Sequence, residues 1–252
     1  YATLNTGARM PMLGFGVFQV TDLMQCKQIV LDAIDVGYRL FDTAAVYGNE
    51  AAVGEAIAEA IAMGKVKRED LFITSKLWVQ DMNAYDVDEG IDQSLRNLGL
   101  EYIDLYLLHQ AMGDYFSAWR GLEQAYRDGR LMDIGVSNFY PNVLTNFCEN
   151  VDIKPAVNQI ELHPYFQQPD ALDTMKYYDV LPEAWAPLGG GRYSPFEEKL
   201  LQDIAETHDK TVGQVVLRWN IQRGVVVIPK TTHKERMIEN INVWDFELSQ
   251  DE

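Results

Sequence analysis

Ile103-Asp104-Leu105-Tyr106-Leu107-Leu108-His109 is a short, mostly apolar run that ends in an imidazole. A near-continuous apolar run of this length is what a strand buried on both faces looks like in sequence. The pattern recurs upstream with a different polar residue at its end. Tyr38-Arg39-Leu40-Phe41 runs into Asp42, with Tyr47 five residues on, and Leu71-Phe72-Ile73 leads towards Lys76. Strand ends that carry an acid, a phenol, an amine and an imidazole point to a proton-transfer site built on a parallel barrel.

Working outward, eight candidate strands can be read: Gly14-Gly16, Tyr38-Asp42, Leu71-Ser75, Ile103-His109, Leu131-Val136, Ala156-Glu161, Leu181-Ala186 and Val225-Pro229. Between them lie segments with apolar residues three or four apart, each presenting one apolar stripe. Examples are Cys26, Ile29, Val30, Ala33 and Ile34; Val53, Ile57 and Ile61; Val87, Ile91, Leu95 and Leu98; Trp119, Leu122 and Tyr126; and Val212, Val215, Val216 and Trp219. Thr211 and Gln214 have the spacing of a capping box at a helix start. Eight such βα units match an α/β fold of the (β/α)8 TIM-barrel type, which takes roughly 250 residues. Tyr1 to Met12 lies outside the alternation, and its Asn5-Thr6-Gly7 turn predicts a β-hairpin closing the barrel floor. No linker or low-complexity tract divides the chain, so residues 1–252 are read as a single barrel domain.

Composition narrows the function classes. The chain has 252 residues, 47% of them hydrophobic, which supports a sizeable core rather than disorder. Its formal net charge of −17 repels phosphate backbones and anionic membrane faces, so neither nucleic acid nor membrane is expected as a partner. No apolar run approaches the roughly 18 residues of a membrane span, and no signal peptide is visible. Two cysteines, Cys26 and Cys148, make no disulfide framework and read as reduced thiols in a cytoplasm. No metal-ligand spacing is present. His163 reads as structural, His208 and His233 as surface residues.

Barrel enzymes place their chemistry at the C-terminal ends of the strands. Asp42, Tyr47, Lys76 and His109 all fall at or near the ends of strands two, three and four. Taken singly each has an ordinary explanation: a turn residue, a tethered core phenol, a solvent-facing amine, a satisfied imidazole. Four on adjacent strand ends are hard to dismiss together.

Longer stretches around these residues resemble the aldo-keto reductase family across essentially the whole chain. They are Val36-Gly37-Tyr38-Arg39-Leu40-Phe41-Asp42-Thr43-Ala44 with Tyr47-Gly48-Asn49-Glu50, Ser75-Lys76-Leu77-Trp78, Asp104-Leu105-Tyr106-Leu107-Leu108-His109, Gly135-Val136-Ser137-Asn138-Phe139, Asn158-Gln159-Ile160-Glu161 and Ile228-Pro229-Lys230. The similarity is to small bacterial members such as 2,5-diketogluconate or glyoxal reductases. It implies NADPH-dependent reduction of small aldehydes or ketones, with Tyr47 as general acid and Asp42, Lys76 and His109 around it. A free phenol has a pKa of about 10. An ammonium about 4 Å away favours phenolate by roughly 4 kcal/mol at an effective dielectric of 20, which alone would lower that pKa by up to about three units. Asp42 holds Lys76 charged but cancels part of its field.

The same resemblance places Ser137, Asn138 and Gln159 on the carboxamide edge of nicotinamide and Trp185 against its ring. It places Lys230, Thr231 and Arg236 on the 2′-phosphate of NADP, and Asn240 on adenine. No G-x-G-x-x-G fingerprint is present, and Gly14-Phe15-Gly16 is too short for one. The segment from Lys230 to Arg236 is locally basic, Thr232 and Glu235 fit a capping box, and a helix start near cations suits an anion. Phe18 and Trp78 are candidates for an aromatic substrate wall. Gln110-Ala111 stands where many members have Trp-Pro, which alters the wall beside the carbonyl site. Gly189-Gly190-Gly191 is a candidate lid over the pyrophosphate. Members usually continue past the equivalent of Leu248-Ser249 into a loop that shapes specificity. The resemblance also implies a monomer. Two other readings stand beside the reductase: a nicotinamide-binding redox-sensing subunit without significant turnover, and an unrelated barrel enzyme such as an isomerase. The intact quartet argues against the first, and Ser137-Asn138 with Gln159 against the second.

Overall fold

A computed structural model describes residues 1–252. Its first element is a hairpin: β1 (Ala2–Thr3) pairs antiparallel with β2 (Arg9–Met10) across the Asn5-Thr6-Gly7 turn. Eight parallel strands follow, hydrogen-bonded in chain order: β3 (Phe15–Gly16), β4 (Leu40–Asp42), β5 (Phe72–Leu77), β6 (Ile103–Leu108), β7 (Leu131–Ser137), β8 (Val157–Glu161), β9 (Leu181–Trp185) and β10 (Val226–Val227). The last strand returns to the first. Leu13 bridges Val227, the Gly14 N–H donates to Val227 O at 2.8 Å, and the Gly16 N–H donates to Pro229 O at 3.2 Å. The helices are α1 (Leu23–Val36), α2 (Glu50–Ala62), α3 (Val87–Leu98), α4 (Tyr115–Arg127), α5 (Pro141–Cys148), α6 (Pro169–Tyr178), α7 (Lys199–Thr207), α8 (Val212–Gln222) and α9 (Lys234–Ile241). This is the expected TIM barrel, with two helices rather than one between β9 and β10.

Alternation along the strands sorts every side chain to one of two sides. Leu40, Phe72, Leu105, Leu107, Val157, Val226 and Ile228 form an inner core with Leu4 and Met10 of the hairpin. Their neighbours Phe41, Ile73, Tyr106, Leu108, Ile134, Val136, Ile160 and Ala184 pack outward in the larger core that takes in the helices. The hairpin therefore plugs the floor. Asn5 Nδ2 ties it to Pro155 O at 3.0 Å, and Thr6 Oγ1 ties it to Asp133 at 2.5 Å. In β7 the inward positions are Asp133, Gly135 and Ser137. Gly135 sits where a Cβ would stand 2.6 Å from Val157 O and 2.7 Å from Leu107, so no larger residue fits there without movement.

Three local differences from the sequence reading have physical causes. Tyr38 lies in the turn that closes α1 rather than in β4: Gly37 is left-handed (φ 118°) and the Tyr38 N–H bonds back to Ala33 O. Lys76 lies within its strand, because β5 pairs with β6 through Leu77↔Leu108. The capping box expected at Thr232 and Glu235 does not form. Thr231 Oγ1 accepts from the His233 N–H at 3.1 Å, α9 starts after His233, and the Glu235 carboxylate lies by the His233 ring. The capping box at Thr211 and Gln214 forms in both directions, at 3.2 and 3.0 Å. Cys26 and Cys148 are buried and unpaired. No helix is long and apolar enough to cross a membrane.

Burial pushes the Asp133 carboxyl up to about 6, the Thr6 bond opposing and the charge of Asp104 adding to it. Folding therefore favours the protonated form, and this contribution is complete below the unfolded value of about 3.9 and lost as pH rises through 6. Asp133→Asn should accordingly need more urea to unfold than wild type at pH 7.5, with the difference closing towards pH 4. Equilibrium urea titrations at the two pH values check this.

Candidate active site

The apolar inner layers give way to polar ones towards the C-terminal ends of the strands. Here the inward positions hold Asp42 of β4, Lys76 of β5, Ser137 of β7, Gln159 of β8, and Glu183 and Trp185 of β9. His109 follows β6, anchored by its N–H to Leu77 O at 3.1 Å. Tyr47 ends a short 3-10 turn, Ala45–Tyr47, closed by a left-handed Gly48 (φ 68°), which swings the phenol back over the rim.

Lys76 is 0% exposed. Its ammonium has three protons, and the structure supplies three acceptors: Asp42 Oδ1 at 2.6 Å, Thr43 O at 2.9 Å and Tyr47 Oη at 3.3 Å. Asp42 Oδ2 accepts from Gln159 Nε2 at 2.8 Å, and the same nitrogen donates to Glu183 Oε2 at 3.0 Å. The Tyr47 ring meets the His109 ring edge-on at 5.7 Å and Phe18 at 4.9 Å, while Trp78 meets His109 at 5.1 Å. Phe18 is exposed, Trp78 and Gln110 half-buried.

Burial is the largest influence on Tyr47 and raises its pKa. Lys76 pulls it down by charge and by hydrogen bond, Asp42 and Glu183 push it up, and the net direction is upward. The lowering expected from Lys76 alone is outweighed. Burial alone would pull the Lys76 ammonium down, but Asp42, Tyr47 and Glu183 together hold it above its ordinary value. Burial, helped by the charge of Lys76, lowers His109 to about 3, so the imidazole is neutral at physiological pH. Its Nδ1 is sealed without a partner.

The other expected residues fall into two places. Ser137, Asn138, Gln159 and Trp185 join the rim. Ser137 Oγ donates to Gln159 O at 2.8 Å. Asn138, left-handed at φ 61°, donates to His109 O at 3.1 Å and accepts from Trp185 Nε1 at 2.9 Å. Lys230, Thr231, Arg236 and Asn240 lie at the exit of β10 and along α9. Thr231 and Asn240 are buried, while Lys230 and Arg236 are exposed and make no ion pair, unlike Lys234, which meets Asp32. Gly189 to Gly191 all have positive φ, and Gly189 packs where a Cβ would meet Tyr193 O at 2.5 Å, so the segment is a wound turn. His163 is sealed, with Nε2 3.0 Å from Glu161. His208 is half-buried against Phe246 and Glu252 rather than free on the surface. Glu183 was not among the expected residues. Its signal was a carboxylate two places before Trp185, which puts both on the inward side. Clefts of about 580 and 370 Å³ open at the hairpin end, away from this cluster.

Fold and rim together define a (β/α)8 barrel with a buried acid–amine–phenol chain and a neutral imidazole at the C-terminal ends of its strands. The family model described as the Aldo/keto reductase family matches residues 12–252. The oxidoreductase YtbE of Bacillus subtilis (strain 168) is 45% identical over 252 residues, covering 100% of this chain and 89% of its own. Glyoxal reductase of the same organism is 44% identical over 250 residues, covering 99% and 88%. The crystal structure of an aldo-keto reductase of Bombyx mori in complex with NADP superposes with a TM-score of 0.95 at 36% identity, covering 99% of this chain and 89% of that one. The chain belongs to the aldo-keto reductase family.

A depressed histidine is a stability statement. Between about pH 6.5 and pH 3 the unfolded chain takes up a proton at His109 that the folded chain does not, so its contribution to stability falls with pH across that window. Nitrogen-15 NMR of labelled histidine should show His109 without a titration step from pH 5 to 9.

Proposed function

We propose that this chain reduces small aldehydes and ketones with NADPH, as one barrel domain over residues 1–252 and as a monomer. The observation that carries this reading is the chain Asp42–Lys76–Tyr47, sealed from below and beside a neutral His109. The glyoxal reductase relative supports the substrate class, and the Bombyx mori enzyme in complex with NADP supports the cofactor.

The residues present fit such a dinucleotide. No protein donor reaches Gln159 Oε1, which leaves an acceptor for an amide beside Ser137 and Asn138. Trp185 is half-buried, its indole N–H bonded to Asn138. Lys230 and Arg236 are unpaired cations beside the start of α9, in a chain of net charge −17. Ser137, Asn138 and Gln159 would hold the carboxamide edge and Trp185 the ring face. Lys230, Thr231 and Arg236 would hold the 2′-phosphate, and Asn240 the adenine. Phe18, Trp78 and Gln110 would line the substrate side.

The bound dinucleotide supplies the hydride that the carbonyl carbon accepts. Tyr47 gives its proton to the carbonyl oxygen. Lys76 stabilises the phenolate left behind, at the 3.3 Å it already keeps. Asp42 fixes Lys76 by its short ion pair. Neutral His109 orients the carbonyl by a hydrogen bond from Nε2, without competing as an acid.

NADPH consumption with a panel of small aldehydes tests this directly. Tyr47→Phe should lower kcat by about 10²- to 10⁴-fold and leave NADPH binding intact. Tight NADPH binding by wild type with no turnover of any carbonyl would favour the redox-sensing alternative, and no binding of either nucleotide would sink the reading. Arg236→Ala should weaken NADPH about tenfold and NADH much less, as titrations of the two nucleotides would show.

A further inference from the structure

Glu183 takes no part in the proton-transfer chain, yet it is sealed beside it in the middle of β9, at 0% exposure. It lies directly across from Gln159 in the parallel register. The amide nitrogen of Gln159 has two hydrogens, and both point inward: to Asp42 Oδ2 at 2.8 Å and to Glu183 Oε2 at 3.0 Å. An amide oxygen can only accept. With two oxygen acceptors on its inner side, Gln159 must keep its NH2 end in and Oε1 out. Glu183 Oε1 is sealed and unpartnered, whereas Gln159 Oε1 is not among the sealed atoms. Asp42 by itself occupies only one of the two hydrogens, and its other oxygen is committed to Lys76.

We propose that Glu183 is a positioning residue for the nicotinamide end of the cofactor: with Asp42 it locks the Gln159 amide so that Oε1 presents an acceptor to the carboxamide N–H. This rests on the cofactor reading above. The groups that face Glu183 are Gln159 from β8, Asp42 from β4, Lys76 from β5 and Tyr47 from the turn after β4. Its neighbour on β10 is Val226. Burial first, then the charge of Asp42, pushes the Glu183 carboxyl up to about 8, against the Gln159 bond and Lys76. Below that pH the proton sits on Oε1, because Oε2 accepts from Gln159. Above it, the carboxylate adds a negative charge that raises Tyr47 further and weakens it as a proton donor.

The test compares wild type, Glu183→Leu and Glu183→Gln, with folding checked by near-ultraviolet circular dichroism. Each is titrated with NADPH and with adenosine 2′,5′-bisphosphate, which lacks the nicotinamide end. Glu183→Leu should bind NADPH about tenfold more weakly, the equivalent of about 1.4 kcal/mol and of one hydrogen bond, and the bisphosphate as wild type does. Glu183→Gln, whose amide oxygen can accept the same hydrogen, should recover NADPH affinity. Wild-type NADPH affinity in Glu183→Leu overturns the proposal alone, as does equal weakening for both ligands. Failure of wild type to bind NADPH overturns the cofactor reading with it. Should Glu183→Leu not fold, Glu183→Met, which keeps the length of the side chain and removes the acceptor, takes its place with the same two outcomes.

Discussion

An ammonium sealed at the centre of a barrel survives only if every proton on it is met. Taking an unpaired ion out of water costs several kcal/mol even after the protein relaxes. Lys76 answers this with a carboxylate, a backbone carbonyl and a phenol, one acceptor for each hydrogen. The arrangement constrains three separate pieces of chain. Asp42 must end β4 facing inward. The backbone after it must turn so that Thr43 O points down. Tyr47 must come back over the rim, which the left-handed Gly48 permits. Removing Asp42 would leave a buried charge uncompensated, a loss of about 3–5 kcal/mol for pairs of this kind. The group that tunes the phenol thus also holds the rim in shape.

The polar chain continues past Asp42, through Gln159 to Glu183, and so reaches across the barrel from β5 to β9. Below it the inner side is apolar: Leu40, Leu105, Leu107, Val157 and Val226. Below that, at the hairpin, the Thr6–Asp133 pair is polar again. The barrel is therefore layered, and the layer beneath the rim lets no solvent reach the ion pair from the floor. That dryness strengthens every charge interaction in the cluster. It also explains why burial is the first influence on the proton affinity of Tyr47, Lys76, His109 and Glu183 alike.

Much of this could be read in the sequence, for one reason: a strand covered on both faces is apolar throughout, so a polar residue at its end stands out. Asp42, Lys76 and His109 were visible on those terms, and Tyr47 by its distance from Asp42. The hairpin was visible from its turn. Glu183 was overlooked, because a carboxylate in Leu181-Pro182-Glu183-Ala184-Trp185 reads by itself as solvent-facing, and only its spacing of two from Trp185 puts it on the inward side. The start of α9 was misplaced because Thr231 and Thr232 are adjacent hydroxyls. The spacing to Glu235 favours one, while the loop geometry uses the other. The direction of the Tyr47 shift was hidden for a different reason. A pair of charges can be estimated from residue types, but the depth at which they sit is a property of the folded chain.

An upward-shifted phenol is consistent with the acid role proposed for Tyr47. A general acid must hold its proton until it is needed, and Tyr47 does so across the physiological range. The oxygen left by hydride addition to a carbonyl is far more basic than a phenolate, so the transfer is downhill even from a weak acid. What must be avoided is a stranded phenolate in a dry site, and Lys76 meets that demand from 3.3 Å away. His109 serves the same end by being neutral. A protonated imidazole at that place would be the stronger acid and would sit beside the Lys76 charge. Burial and that charge together remove the option by holding it to about 3. The environment thus separates the two proposed roles, leaving the proton with the phenol and a neutral hydrogen-bonding group in the imidazole.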